Sequence, residues 1–211
     1  MPITLNSFVQ ILVFIILVAL ITKPLGLYMT NVFNGERNWL TPAVAPIERF
    51  FYRSSGVNAD EEQDWLQYTI AMLIFSAIGV IFTYIVLETQ QWHGSFFNPQ
   101  NFSSLEGGLA WNTAVSFTTN TNWQNYVGEQ TMSYLSQMFG LVFHNFASAA
   151  TGIALAVAVI RGLTRRNAQH LGNFWVDFTR CVLYILLPVS IIGALVLVWQ
   201  GVPQNFLPYL S

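Results

Sequence analysis

The sequence predicts an all-α polytopic membrane protein with four spanning helices and one shorter, re-entrant helix. Of 211 residues, 54% are hydrophobic and only 9% charged, far below the roughly 25% charged residues of an average soluble domain. Charges are also missing from long windows. Leu66 to Leu87 is 22 residues without Asp, Glu, Lys or Arg, Gln130 to Ile160 is 31, and Cys181 to Trp199 is 19; about 20 residues at ~1.5 Å rise cross about 30 Å of hydrocarbon. Between the first two of these windows lies an uncharged polar stretch, Asn112 to Gln124.

Taken in order, residues 1–22 form the first span. Met1 to Thr22 carries no charge, and Phe8 to Ile21 is strongly apolar apart from Gln10. A cleaved leader is disfavoured, because the start has no Lys or Arg and the run ends in Leu20-Ile-Thr-Lys-Pro-Leu25 rather than at small residues. Residues 23–65 are a connection with Pro24, Pro42 and Pro46, too long for a plain helical hairpin and expected to hold structure of its own. Its acidic run, Ala59 to Asp64, reads as a solvated helix start with carboxylates at the positive dipole end rather than as a metal site. Residues 66–88 are the second span.

Residues 89–131 form a connection in two parts. Thr89 to Ser104 is a loop rich in Gln, Asn, Ser and aromatics. After it, 105–117 suits a helix of about three turns, too short to span, and 118–124 a loop. The third span is 132–160, a connection covers 161–173, the fourth span is 174–200 and a tail covers 201–211. The single Cys181, at the edge of an apolar run, is expected to be a packed hydrophobe.

All eight Lys and Arg residues fall between the first and second or between the third and fourth apolar segments. By the positive-inside rule both connections are cytoplasmic, which places the termini and residues 89–131 outside. The middle of 89–131 can then enter the membrane only as a hairpin that returns to the same face. Arg161-Gly-Leu-Thr-Arg-Arg166 could meet anionic lipid heads, although topology alone explains its charge.

Backbone that enters a bilayer irregularly must be enclosed by protein or line an aqueous cavity. Thr118 to Gln124 offers seven carbonyls, neutral polar side chains and no charge, which suits a dehydrated monovalent cation. The short helix would aim its negative dipole end at this loop. No Gly is present to reach unusual backbone angles, but Asn120 and Asn122 enter the left-handed region more easily than most residues. Neutral oxygens suit potassium and sodium alike.

The block Ala110-Trp-Asn-Thr-Ala-Val-Ser-Phe-Thr-Thr-Asn-Thr-Asn-Trp-Gln124, with Tyr134-Leu-Ser-Gln-Met138, Asn145-Phe-Ala-Ser-Ala-Ala-Thr-Gly-Ile153 and Leu171-Gly-Asn-Phe-Trp-Val-Asp-Phe-Thr-Arg180, resembles the potassium-binding A subunit of bacterial Kdp potassium-transporting ATPases. The resemblance runs from about Lys23 to Tyr209 and implies the potassium-transporter superfamily of Trk, Ktr and HKT proteins, whose pores use four helix, pore helix, helix repeats. It implies a potassium ion as cargo. Carbonyls of Thr119 to Thr121 would coordinate the ion, Asn120, Thr121 and Asn122 would line the first of four filter loops, and Gln124 would shape the outer mouth. Implied partners are the ATP-hydrolysing B subunit, the C subunit and the small F subunit of the Kdp complex, together with membrane lipid and no nucleic acid; the implied location is the bacterial inner membrane. One loop where the family has four marks the chain as a truncated or partial subunit. His144, in an apolar run where the family pattern suggests an uncharged amide, is expected to be a neutral His bonded to a neighbouring helix.

Two other function classes stand beside an ion-binding pump subunit. One is a homotetrameric cation channel with one loop per chain. The other is an intramembrane hydrolase, disfavoured because Gly-x-Ser-x-Gly and His-Glu-x-x-His are absent. No Walker-type loop or Asp-Lys-Thr-Gly sequence occurs, so the pump reading assigns ATP chemistry to a partner and none to this chain.

Overall fold

A computed structural model describes residues 5–165 and 169–208. The described residues form helices and connections without a strand; one isolated antiparallel bridge joins Gln63 to Gly172. Six helices carry the fold: α1 (Leu5–Phe33), α2 (Thr41–Ser55), α3 (Trp65–Glu88), α4 (Gly107–Thr118), α5 (Ser136–Thr164) and α6 (Phe174–Trp199). Among them, α3, α5, α6 and the segment Asn6–Phe33 of α1 are long and apolar enough to cross a membrane.

α1 does not stop at Thr22. It continues through Lys23 and Pro24 to Phe33. A proline inside a helix removes one hydrogen bond and costs about 3 kcal/mol or more, but the turns beyond it are held by packing: Val32 and Phe33 are buried against Ala150, Cys181 and Leu183, with Tyr28 and Met29 beside them. Charge and proline mark where the apolar run ends, and tertiary contact decides where the helix ends.

The connection that follows holds α2. Its C-cap Gly56 takes φ +66 and donates to the Tyr52 carbonyl, a left-handed turn that glycine enters without a Cβ penalty. α3 opens on a capping box, with Asp64 Oδ1 accepting from Gln67 N at 2.8 Å and Gln67 Oε1 from Asp64 N at 3.0 Å. Within the acidic run, Asp64 is thus a cap and Glu62 pairs with Arg165 at 2.9 Å. No group of acidic, His or Cys side chains suited to a metal occurs among the described residues.

α5 and α6 each contain a π-helical stretch, Ser136–Val142 and Cys181–Leu186. Ala147, Ala150, Ala154 and Ala158 are buried along α5, small residues that let neighbouring helices approach closely. Cys181 is fully buried in the core.

The connections sort to two ends. At one, Gln63 N donates to Gly172 O (2.6 Å), and Asn173 Nδ2 to Glu61 O (3.1 Å). Arg161 there meets Asp177 at 2.6 Å and Arg180 meets Glu48 at 3.0 Å, so Arg161 is engaged inside the protein, while Arg165 pairs with Glu62 at its surface; Arg166 lies outside the described residues. At the other end, the Phe206 ring packs on Phe96 and Tyr134, and Tyr134 Oη donates to the Leu207 carbonyl. Buried Gln90 orders this side: its amide donates to Ser103 O and Thr131 O and its carbonyl accepts from Ser133 N, all at 2.8 Å.

Candidate functional site

α4 runs alongside α3 in the opposite sense. Its first residue, Gly107, lies against Glu88 Oε1 and the Tyr84 hydroxyl, whereas Thr118 at its last turn lies against Gly79. Gly79 is roughly 13 Å along α3 from Glu88 at ~1.5 Å per residue, so α4 carries the chain from the end of α3 to its middle. Ala110, Ala114 and Phe117 bury one face of α4, with Ala110 and Phe117 in a cluster with Leu87, Leu105, Met132 and Leu141. Tyr126 packs on that cluster as the chain returns; burial pushes its hydroxyl up to about 12, so it stays uncharged at neutral pH.

The loop after α4 folds its donors inward. Thr119 N donates to Val115 O (3.0 Å), Asn120 N to Phe117 O (3.2 Å), Thr121 N to Ser116 O (2.9 Å), Asn122 N to Ser116 O (3.2 Å) and Trp123 N to Ser116 Oγ (2.6 Å). No hydrogen bond among the described residues engages the carbonyls of 118–122, and residues 119–125 are exposed. The backbone angles explain this one-sidedness. Asn120 and Asn122 take φ +58 and +53, while Thr119 has φ −84 and Thr121 is not left-handed. Alternating handedness turns successive N–H groups to one side of the chain, leaving the oxygens on the other.

Side chains finish the brace. Thr119 Oγ1 donates to Val115 O at 2.9 Å and lies 3.0 Å from Thr121 Oγ1, so both hydroxyls are occupied within the loop. Asn120 Oδ1 sits 3.2 Å from Ser148 Oγ on α5. Gln124 and Asn122 are exposed beyond this framework. The site residues read from the sequence, Thr119, Asn120, Thr121, Asn122 and Gln124, are therefore neighbours on one uncharged loop whose unengaged backbone groups at 118–122 are carbonyl oxygens.

His144 is fully buried beneath the loop, with Nε2 3.1 Å from Gly79 O on α3 and 3.4 Å from Thr118 Oγ1. A nitrogen facing a carbonyl must carry the proton, so His144 donates across to α3. A Cβ on Gly79 would come within 2.7 Å of His144 Cε1; that glycine makes room for the ring. Ser116 and Ser148 were not singled out from the sequence. A buried hydroxyl on the last turn of a helix that opens onto a polar loop is the signal that points to Ser116.

The profile of the potassium-transporting ATPase A subunit family matches residues 12–211. A potassium-transporting ATPase potassium-binding subunit from Mesorhizobium japonicum is 52% identical over 209 residues, covering 99% of this chain and 36% of its own length. The protein of the same description from Koribacter versatilis is 54% identical, covering 97% and 34%, and that from Geobacter metallireducens is 52% identical, covering 96% and 34%. The chain thus spans about a third of the length of the curated relatives it matches. With most of its residues inside the family profile and these identities along nearly its whole length, the chain belongs to the potassium-transporting ATPase A subunit family.

Proposed function

We propose that this chain supplies one cation-coordinating loop of a potassium-selective filter, within an ATP-driven uptake complex of the bacterial inner membrane. The observation that carries it is the row of unengaged carbonyls at Thr118 to Asn122, held by inward donors and free of charge. Such oxygens replace the hydration shell of a monovalent cation. The names borne by the relatives choose potassium over sodium.

In this reading α4 is a re-entrant pore helix whose negative end favours a cation at the loop. Carbonyls of Thr119, Asn120 and Thr121 coordinate, Asn120, Thr121 and Asn122 line the path, and Gln124 shapes the mouth. A complete ring needs about four loops, and this chain contributes one. The basic connections face the cytoplasm and both termini the outside. ATP hydrolysis lies on the partner B subunit, with the C and F subunits completing the assembly, and the ion passes to that ATP-hydrolysing partner inside the membrane.

The test is potassium uptake by the assembled transporter carrying this segment. A fixed positive charge at the mouth repels the incoming cation, so Gln124→Arg raises the apparent KM for potassium by roughly tenfold or more, while Gln124→Asn stays near wild type. Equal KM in the two variants overturns the placement of Gln124. Selective potassium flux in liposomes holding only this 211-residue chain, with an oligomer mass of four copies, would instead support the homotetrameric channel.

A further inference from the structure

We propose that Ser116 is the positioning residue that sets ion discrimination at this loop. The proposal rests on the reading of the loop as a cation filter. Three consecutive loop residues converge on it: its carbonyl accepts from Thr121 N and Asn122 N, and its hydroxyl accepts from Trp123 N at 2.6 Å and donates to Trp123 O at 3.0 Å. Ser116 is itself buried in the last turn of α4.

A serine hydroxyl has one proton and two lone pairs. Here the proton goes to the Trp123 carbonyl and a lone pair takes the Trp123 N–H, so one atom satisfies both backbone groups of one residue. The link also marks where the carbonyl row ends. Oxygens at 118–122 accept no hydrogen bond among the described residues, and at Trp123 the oxygen is tied back to α4. The row is therefore fixed at both ends, by the helix at Thr118 and by this hydroxyl at Trp123.

Discrimination between potassium and a smaller cation depends on how many oxygens are presented and how firmly they are held. The Thr119 and Thr121 hydroxyls hold only the near part of the loop, through Val115 and each other. Without the Ser116 hydroxyl, Trp123 loses both partners and the far part is free to close around a smaller ion. The two carbonyl bonds to Thr121 and Asn122 do not depend on the side chain. Alanine is also the better helix former, so α4 survives the change.

Potassium-dependent transport by the assembled complex tests this, reading KM, kcat and the preference for potassium over sodium. Ser116→Ala raises KM for potassium by about tenfold, in line with a lost buried hydrogen-bond pair, with kcat within about twofold, and narrows the preference over sodium. Ser116→Thr, which keeps the hydroxyl, restores both. Wild-type KM and ion preference in Ser116→Ala overturn the proposal. Should that variant fail to assemble, Ser116→Cys, of similar size but a weaker hydrogen bonder, takes its place: raised KM supports the role and unchanged KM overturns it. Gln124→Arg measured in parallel separates the two readings. If it shifts KM and the Ser116 variants do not, only the role of Ser116 falls; if none shifts KM, the filter reading falls with it.

Discussion

The two ends of this helix bundle hold irregular backbone in place with opposite chemistry. At the end where the basic connections meet, the brace is ionic. Arg161 forms two bonds to Asp177, 1% exposed, and one to the Phe33 carbonyl; Arg180 bonds Glu48, which also accepts from the Tyr52 and Tyr184 hydroxyls. At the loop end, Gly107 to Trp123 contains no charged residue, and the ties are made by hydroxyls, amides, the backbone and the His144 imidazole. Charge pairs are strong but leave a fixed field, which near a filter would either trap or repel a cation. Neutral donors hold the backbone without that bias, and they leave the oxygens of the loop as the strongest local feature.

Breaking the ionic brace has the largest expected effect. Arg161→Leu strands Asp177 as a buried carboxylate without its main partner, a change that costs roughly 3–5 kcal/mol. Denaturation in detergent should show that loss, whereas Asp177→Asn together with Arg161→Leu should recover part of it. A double variant no more stable than the single one would mean that the pair does not carry this end.

A smaller effect is expected at the loop, where the comparison is sharpened by changing geometry alone. Asn122 sits at φ +53, a conformation that costs a β-branched residue about 1–2 kcal/mol. Asn122→Val should therefore displace the loop and weaken potassium binding, while Asn122→Gly leaves both close to wild type. Matching potassium affinities in the two variants would show that the left-handed turn at Asn122 is dispensable.

The smallest effect belongs to the exposed pair at the charged end. A hydrogen bond from Arg165 holds the Glu62 carboxyl below the ordinary carboxylate range. Its contribution is present above the unfolded value of about 4.3 and lost as pH falls through the lower folded value. Both side chains are over a third exposed, so the amount should stay below about 1 kcal/mol and shrink in salt. Comparing wild type with Glu62→Gln by melting from pH 7 downward, in low and high salt, checks the sign: the difference at pH 7 should shrink as the pH falls below the ordinary carboxylate range.

These predictions divide along the same line as what the sequence disclosed. Four apolar segments, the polar loop and the left-handed aptitude of Asn120 and Asn122 are local properties, set by hydropathy and by the φ preference of one residue type, and they are legible in the chain. The continuation of α1 through Pro24 is not, because it depends on Val32 and Phe33 finding Ala150 and Cys181. Nor is the pairing of Arg161 with Asp177 or of Arg180 with Glu48; composition shows a cluster of positive charge but not the acid that folds against it. Ser116 stayed hidden for a related reason. Its role exists only once the loop doubles back and brings Trp123 to it.

The π-helical stretch Ser136–Val142 in α5 has a further meaning as a setting of angle. Successive residues of an α-helix are rotated by about 100°, and a π turn takes in roughly one extra residue before the helix resumes. On its N-terminal side stands Ser133, tied to Gln90 of the 89–131 connection; on its C-terminal side stand His144 and Ser148, aimed at Gly79, Thr118 and Asn120. Shortening the stretch by one residue would leave α5 just as apolar and nearly as long, yet would swing one of these groups about a quarter-turn away from its partners. The azimuth between the 89–131 connection and the floor of the loop is thus stored in the number of residues between them, whatever those residues are.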